Sequence, residues 1–170
     1  MASEVSNGGL YTIMNISSRT VMDMVGGSRT NNMPVLGQDP RFWKKDQSQI
    51  WRFEMHDKYW KVINLKSGTA LTLRNGNTDN GTLIVGSDIT ESDRQLWDLK
   101  RLGDSNEVAE YGSVPSYFKH RPYHFHFINK EGGTSIDLDA GTPDNNTTIR
   151  GWQTSVGNTN QQWILIPIQK

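Results

Sequence analysis

Apolar and polar residues alternate in three separate stretches of the chain, each opening on an aromatic residue and closing on asparagine. They are 11–15 (Tyr11, Ile13, Asn15), 60–64 (Trp60, Val62, Asn64) and 125–129 (Phe125, Phe127, Asn129). A period of two is the pattern of a strand with one face in a core. Twelve positions past each opening aromatic, at Asp23, Thr72 and Asp137, lies the centre of a second apolar strand. A turn rich in small and amide residues follows it: Gly26 and Gly27, then Asn75 and Gly76, then Gly141 with Asp144 and Asn145. Such residues accept the left-handed conformations that turns require. A third short strand is predicted at 34–36, 83–85 and 148–150, and Gln38, Ser87 and Trp152 stand fifteen positions past Asp23, Thr72 and Asp137. Each pattern closes on Gln-x-Trp, with Gln49 and Trp51, Gln95 and Trp97, and Gln161 and Trp163, followed by another strand.

Agreement at four marks in three copies identifies a repeated supersecondary unit. From opening aromatic to closing tryptophan the copies span 40, 37 and 38 positions (11 to 51, 60 to 97, 125 to 163). The units run over about 10–55, 59–101 and 124–168 of a single domain, 1–170. Their starts are 49 and then 65 positions apart (11 to 60, 60 to 125), which places an insertion at 102–123. It reads as a passive surface excursion. Four short strands per unit predict an all-β fold of about twelve strands with pseudo-threefold symmetry. Trp51, Trp97 and Trp163 are expected in its shared core, where each ring buries ~150–250 Å².

Composition narrows the function classes. Of 170 residues, 18 are basic and 18 acidic, a formal net charge of +0, so nothing steers the chain towards nucleic acid or an anionic membrane. With 0 cysteines there are no disulfides, thiolate nucleophiles or Cys-based metal sites. No apolar run reaches the ~20 residues needed to span a bilayer. The first residues lack the basic and apolar regions of a signal peptide, so the expected location is the cytoplasm. The sequons at Asn15, Asn80, Asn145 and Asn146 are read as ordinary turn and strand residues. His56, His120, His124 and His126 lack a carboxylate partner at ligand spacing, and neither a metal site nor a cofactor is expected. There is no Gly-x-Ser-x-Gly, His-Glu-x-x-His or phosphate-binding glycine loop, so an enzyme is not expected.

Three Gln-x-Trp units built around a central Asp strand resemble the ricin B-chain type of β-trefoil, in particular the small cysteine-free lectins of mushrooms. The resemblance runs from about residue 10 to 168. It implies a non-catalytic carbohydrate-binding protein that recognises terminal galactose or N-acetylgalactosamine on glycoproteins or glycolipids. It also implies a role in defence against animals that eat the fungus. A sugar site of this kind needs a carboxylate to accept bonds from neighbouring hydroxyls, an aromatic face for the apolar side of the ring, and amides nearby.

By that resemblance the third unit carries the full set. Asp137 is the carboxylate, Trp152 the stacking aromatic, and Asn160 and Gln161 the amides, with Arg150 in a position where the family often has Gln and Gly141 in the turn. The first unit keeps Asp23, Gly26, Gly37 and Gln38, with Phe42 and Trp43 able to supply aromatic surface. The second unit has Thr72, Ser87 and Arg94 at the matching positions and is expected to bind no sugar. Useful avidity would come from two sites per chain or from a homodimer. The alternative is a trefoil protease inhibitor acting through its surface loops.

Overall fold

The computed structural model describes residues 5–102 and 124–168. Apart from Leu102, the expected insertion at 102–123 lies outside the described residues, as does His120. Every regular element described is a strand or a single 3-10 turn. The first unit supplies β1 (Gly9–Asn15), β2 (Val21–Asp23), β3 (Met33–Pro34), β4 (Leu36–Gln38) and β5 (Trp51–His56). The second supplies β6 (Tyr59–Asn64), β7 (Ala70–Leu73), β8 (Thr82–Ser87) and β9 (Trp97–Leu102). The third supplies β10 (His124–Asn129), β11 (Ser135–Leu138), β12 (Thr147–Trp152) and β13 (Trp163–Pro167).

Among the described residues there are 13 strands rather than twelve because the third strand of the first unit is interrupted at Val35. Met33 and Pro34 pair with β8, whereas 36–38 pair with β2 and, at Leu36 and Gly37, with β12. Pro34 brings no N–H to a ladder, which suits the short outer piece.

First and last strands of the units close a ring, in which β1 pairs with β5, β5 with β6, β6 with β9, β9 with β10, β10 with β13 and β13 with β1, all antiparallel. Closure removes the exposed edges that an open sheet would present. The hairpins β2–β4, β7–β8 and β11–β12 cap this barrel and join one another through β4–β12, β12–β8 and β8–β3. This is the β-trefoil that the threefold repeat predicts.

The register explains the repeat marks. Each opening aromatic faces the triplet tryptophan of its own unit: Tyr11 opposite Trp51, Trp60 opposite Trp97, Phe125 opposite Trp163. Each strand-closing asparagine faces the tryptophan of the preceding unit: Asn64 opposite Trp51, Asn129 opposite Trp97, Asn15 opposite Trp163. All three indoles are 0% exposed, and each Nε1 donates to a second-strand carbonyl, of Met22 (3.1 Å), Leu71 (2.9 Å) and Ile136 (3.0 Å). The asparagines are equally committed. The Asn15, Asn64 and Asn129 Nδ2 atoms donate to the carbonyls of Asn160, Ser48 and Arg94, while each Oδ1 accepts amides two and three residues on. One repeated side chain therefore ties a turn to the neighbouring unit three times over. Among the described residues no helix is long and apolar enough to cross a membrane.

After each second strand, two successive residues have positive φ: Gly26 and Gly27, Asn75 and Gly76, Ala140 and Gly141. Glycine adopts this region without penalty, but alanine at φ +55° strains its Cβ against the backbone. Ala140→Gly should therefore raise stability by about 0.5–1 kcal/mol, the relief of strain outweighing the extra entropy of the unfolded chain. A urea midpoint that falls instead would show that Ala140 bears no such strain.

Candidate functional site

The glutamine of each triplet connects the second strand to the loop before the last 3-10 turn. Gln161 Nε2 donates to Asp137 Oδ2 (3.1 Å) and to the Gln153 carbonyl (3.0 Å), and its Oε1 accepts the Ser155 amide (2.9 Å). Gln49 does the same with Asp23 Oδ2, the Asp39 carbonyl and the Arg41 amide. Gln95 does so with the Thr72 hydroxyl, the Asp88 carbonyl and the Thr90 amide. The three side chains are buried and fully occupied. Gln161, expected among the binding amides, thus positions Asp137 rather than presenting a free amide.

In the third unit the hairpin register sets Asp137 opposite Arg150 and Ser135 opposite Trp152. Positions 150 and 152 share a face of β12, so one side of the hairpin gathers carboxylate, guanidinium and indole. Asp137 is 2% exposed, and its Oδ1 meets Arg150 Nε at 3.4 Å. Arg150 also reaches Asp139 (3.1 Å) and lies over the Trp152 ring, 4.1 Å from its centroid. Burial raises the Asp137 carboxyl above the usual range, against the opposing pull of Gln161 and Arg150. Gly141 has φ +61°, and a Cβ there would sit 2.3 Å from Asn160 Oδ1, so a glycine lets the Asn160 amide close onto the turn. Gln161, Asp137, Arg150 and Trp152 lie along one connected set of contacts, and Gly141 and Asn160 meet each other separately. Asp139 escaped the sequence reading, although its place two residues past Asp137 was a usable signal.

The first unit is built differently. Asp23 is 1% exposed, and its Oδ2 accepts from Arg41 Nη2 (2.5 Å) and Gln49 Nε2 (2.9 Å). Its buried Oδ1 has no hydrogen-bond partner among the described residues. Arg41 in turn pairs with Asp46 at 2.8 Å. Against burial, which raises it, hydrogen bonds from Ser48 and Arg41 hold the Asp46 carboxyl at about 2. Arg41 sits in a polar loop with no pattern to single it out, and the sequence reading missed it.

Trp43 is 74% exposed beside this cluster in sequence, whereas Phe42 turns inward against Met14, Ile16 and Val21. Gly26 is exposed at the turn. Gln38 and Gly37 serve the cap instead. The Gln38 amide exchanges hydrogen bonds with Asn146, and a Cβ on Gly37 would lie 2.9 Å from Leu138.

The second unit has the same frame without a carboxylate. The Thr72 hydroxyl donates to the Ala70 carbonyl (2.7 Å) while accepting from Gln95. Ser87 accepts the Asn32 amide, and Arg94 pairs with Glu131. Among the described residues no group of three or more His, Asp or Glu side chains could hold a metal ion.

Residues 47–109 match the family model described as ricin-type β-trefoil lectin domain-like. A search of curated proteins gives no match. Among solved structures, the designed threefold-symmetric protein ThreeFoil superposes with a TM-score of 0.78 at 22% identity, covering 94% of this chain and 99% of that one. The agglutinin of Rhizoctonia solani gives 0.73 at 21% identity, with 98% and 100% covered. The ricin B-like lectin of Macrolepiota procera, solved in complex with lactose, gives 0.69 at 21%, with 95% and 97% covered. With its threefold Gln-x-Trp frame, its closed barrel and cap, and no cysteine, the chain is a β-trefoil, similar over residues 47–109 to the ricin-type β-trefoil lectin domain.

Proposed function

We propose that this protein is a lectin that binds carbohydrate without turnover through the Asp pockets of its first and third units. One observation carries the reading. In the second unit Thr72 accepts the triplet glutamine, and the frame is intact. The fold therefore does not need a carboxylate at this position, yet Asp23 and Asp137 are kept there at 1% and 2% exposure. Burying a charge costs several kcal/mol even when it is paired. Recognition of vicinal hydroxyls is a reason to keep it, because charge-assisted bonds are roughly twice as strong as neutral ones.

The ligand class proposed is a terminal galactose or N-acetylgalactosamine, whose axial 4-hydroxyl leaves an unbroken apolar ring face for Trp152 or Trp43. The lactose bound by the Macrolepiota procera lectin contains such a galactose and supports this choice. In the first pocket Asp23 Oδ1 is a buried acceptor with no partner among the described residues. In the third, Arg150 shares the pocket with the ligand and covers part of the indole. A single site on a monosaccharide has a Kd near millimolar, about −4 kcal/mol, so avidity comes from two pockets per chain or a homodimer. The resemblance to mushroom lectins supports a defensive role.

A glycan array of the wild-type protein beside Asp23→Ala and Asp137→Ala tests the reading. Galactose-terminated signals that fall in one variant identify the pocket in use. A blank array with folded protein would overturn it, and inhibition of proteases would then be measured. Arg150→Gln adds a finer test, because the shorter amide still reaches towards Asp137 while uncovering Trp152. Galactose affinity in an Asp23→Ala background should rise about 2–5-fold, the equivalent of a displaced ~0.5–1 kcal/mol cation–π contact. Weaker binding would mean that the guanidinium itself holds the sugar.

A further inference from the structure

Where each turn meets the next unit, the chain repeats one more device. Asn31 Nδ2 donates to Asp88 Oδ2 (3.1 Å) while the Asp88 amide donates to Asn31 Oδ1 (2.7 Å). Asn145 and Asp39 form the same reciprocal pair, at 3.1 and 2.7 Å. At the third junction the asparagine is Asn80, but the facing residue is Gln153. Only the backbone half survives, the Gln153 amide donating to Asn80 Oδ1 at 2.7 Å. The Asn80 amide hydrogens are left without the carboxylate that the other two junctions provide.

A second departure falls on the same spot. Thr20 and Thr69 share hydrogen bonds with Ser18 (2.6 Å) and Ser67 (2.7 Å). Their counterpart Thr134, only 7% exposed, has Gly132 where those serines stand, and its buried hydroxyl has no partner among the described residues. A side chain at 132 has no room, since a Cβ would lie 2.4 Å from Leu73. The two broken pairs converge on one cleft of ≈ 520 Å³, lined by Thr78, Asp79, Asn80, Thr134, Gln153 and Thr154.

We infer that this junction between the second and third units is a further binding site, for a neutral polyhydroxylated ligand such as a saccharide unit. The lining is made of hydroxyls and amides with one carboxylate. It offers no cation for a phosphate or a sugar acid and no aromatic face for an apolar ligand. Its unmet group is the Asn80 side-chain amide donor, which suits the oxygen of a sugar hydroxyl, while the Thr134 hydroxyl lies buried beneath the cleft surface. The volume falls within the range of ligand pockets. The site shares no carboxylate with the Asp pockets, so it stands or falls separately from them.

Titration of 15N-labelled protein with lactose, mannose, N-acetylglucosamine and N-acetylneuraminic acid tests the inference. At least one neutral sugar should shift the amides of Asn80, Thr134 and Gln153, and should still do so in an Asp23→Ala, Asp137→Ala double variant. Gln153→Asp restores the reciprocal pair with Asn80 and so occupies the free amide. This variant should weaken the response about tenfold, the equivalent of one lost hydrogen bond. The inference is overturned if no neutral sugar moves those amides in folded protein. It is equally overturned if Gln153→Asp responds like the wild type, or if the anionic sugar binds better than the neutral ones. Shifts of the Asp23 and Asp137 amides in the same spectra report on the lectin pockets independently.

Discussion

Trp163→Ala should lower the stability of the protein by about 3–5 kcal/mol, the range for truncating a large buried aromatic. The indole is 0% exposed and stands opposite both Asn15 and Phe125, so the cavity opens where the first and third units meet in the barrel. The substitution also removes the Nε1 bond to the Ile136 carbonyl, leaving a buried acceptor on the strand that carries Asp137. An unsatisfied buried group of this kind costs ~1–3 kcal/mol. Trp51 and Trp97 occupy equivalent positions, and their alanine variants should lose similar amounts. Equilibrium urea unfolding measures the effect. A loss below about 1 kcal/mol would mean that the site collapses around the missing ring and that the threefold core is less tightly packed than its register implies.

The second large effect is on binding. The double variant Asp23→Ala, Asp137→Ala should lose galactose binding at both Asp pockets, a fall of at least about a hundredfold for sites that depend on charge-assisted bonds of ~1.5–3 kcal/mol each. Stability should change little. At position 137 the sign follows from the raised carboxyl. Its folded pKa lies above the unfolded value, so its contribution to stability is greatest below the unfolded pKa and is lost as pH rises through the folded one. Once ionised, the buried Asp137 is therefore no asset to the fold, and its removal should leave Tm within a few degrees. At position 23 Arg41 keeps Asp46 as a partner. Calorimetry with lactose beside a thermal melt separates the outcomes. A variant that unfolds would make the carboxylates structural, and one that still binds would move the sugar site elsewhere.

Much of this was legible in the residues themselves because a β-trefoil repeats its structural solutions. The period-2 strands, the triplet glutamines and tryptophans and the closing asparagines recur at fixed separations, since each copy must meet the same neighbours around the threefold axis. Asp137 with Trp152 was legible for the same reason, being two positions on one face of one hairpin. Contacts made between units were not legible. Gln38 reads as a pocket amide in a linear scan, but its partner is Asn146, 108 positions away. Arg41 lies in a loop with no pattern, and it reaches Asp23 only because the turn before Gln49 folds back over the second strand.

The sequence by itself determined the repeat, the fold class, the core tryptophans and which units keep a carboxylate, because these follow from residue type at regular spacing. The tertiary structure alone decided how those groups are engaged. Arg150 lies across the Trp152 ring, Gln161 is occupied in holding Asp137, and Asp23 keeps a buried oxygen with no partner among the described residues. It also decided that the junction at Asn80 lacks the partner its two counterparts have. The physical reason is that hydrogen-bond saturation depends on which distant groups the closed barrel and its cap bring within about 3 Å of one another.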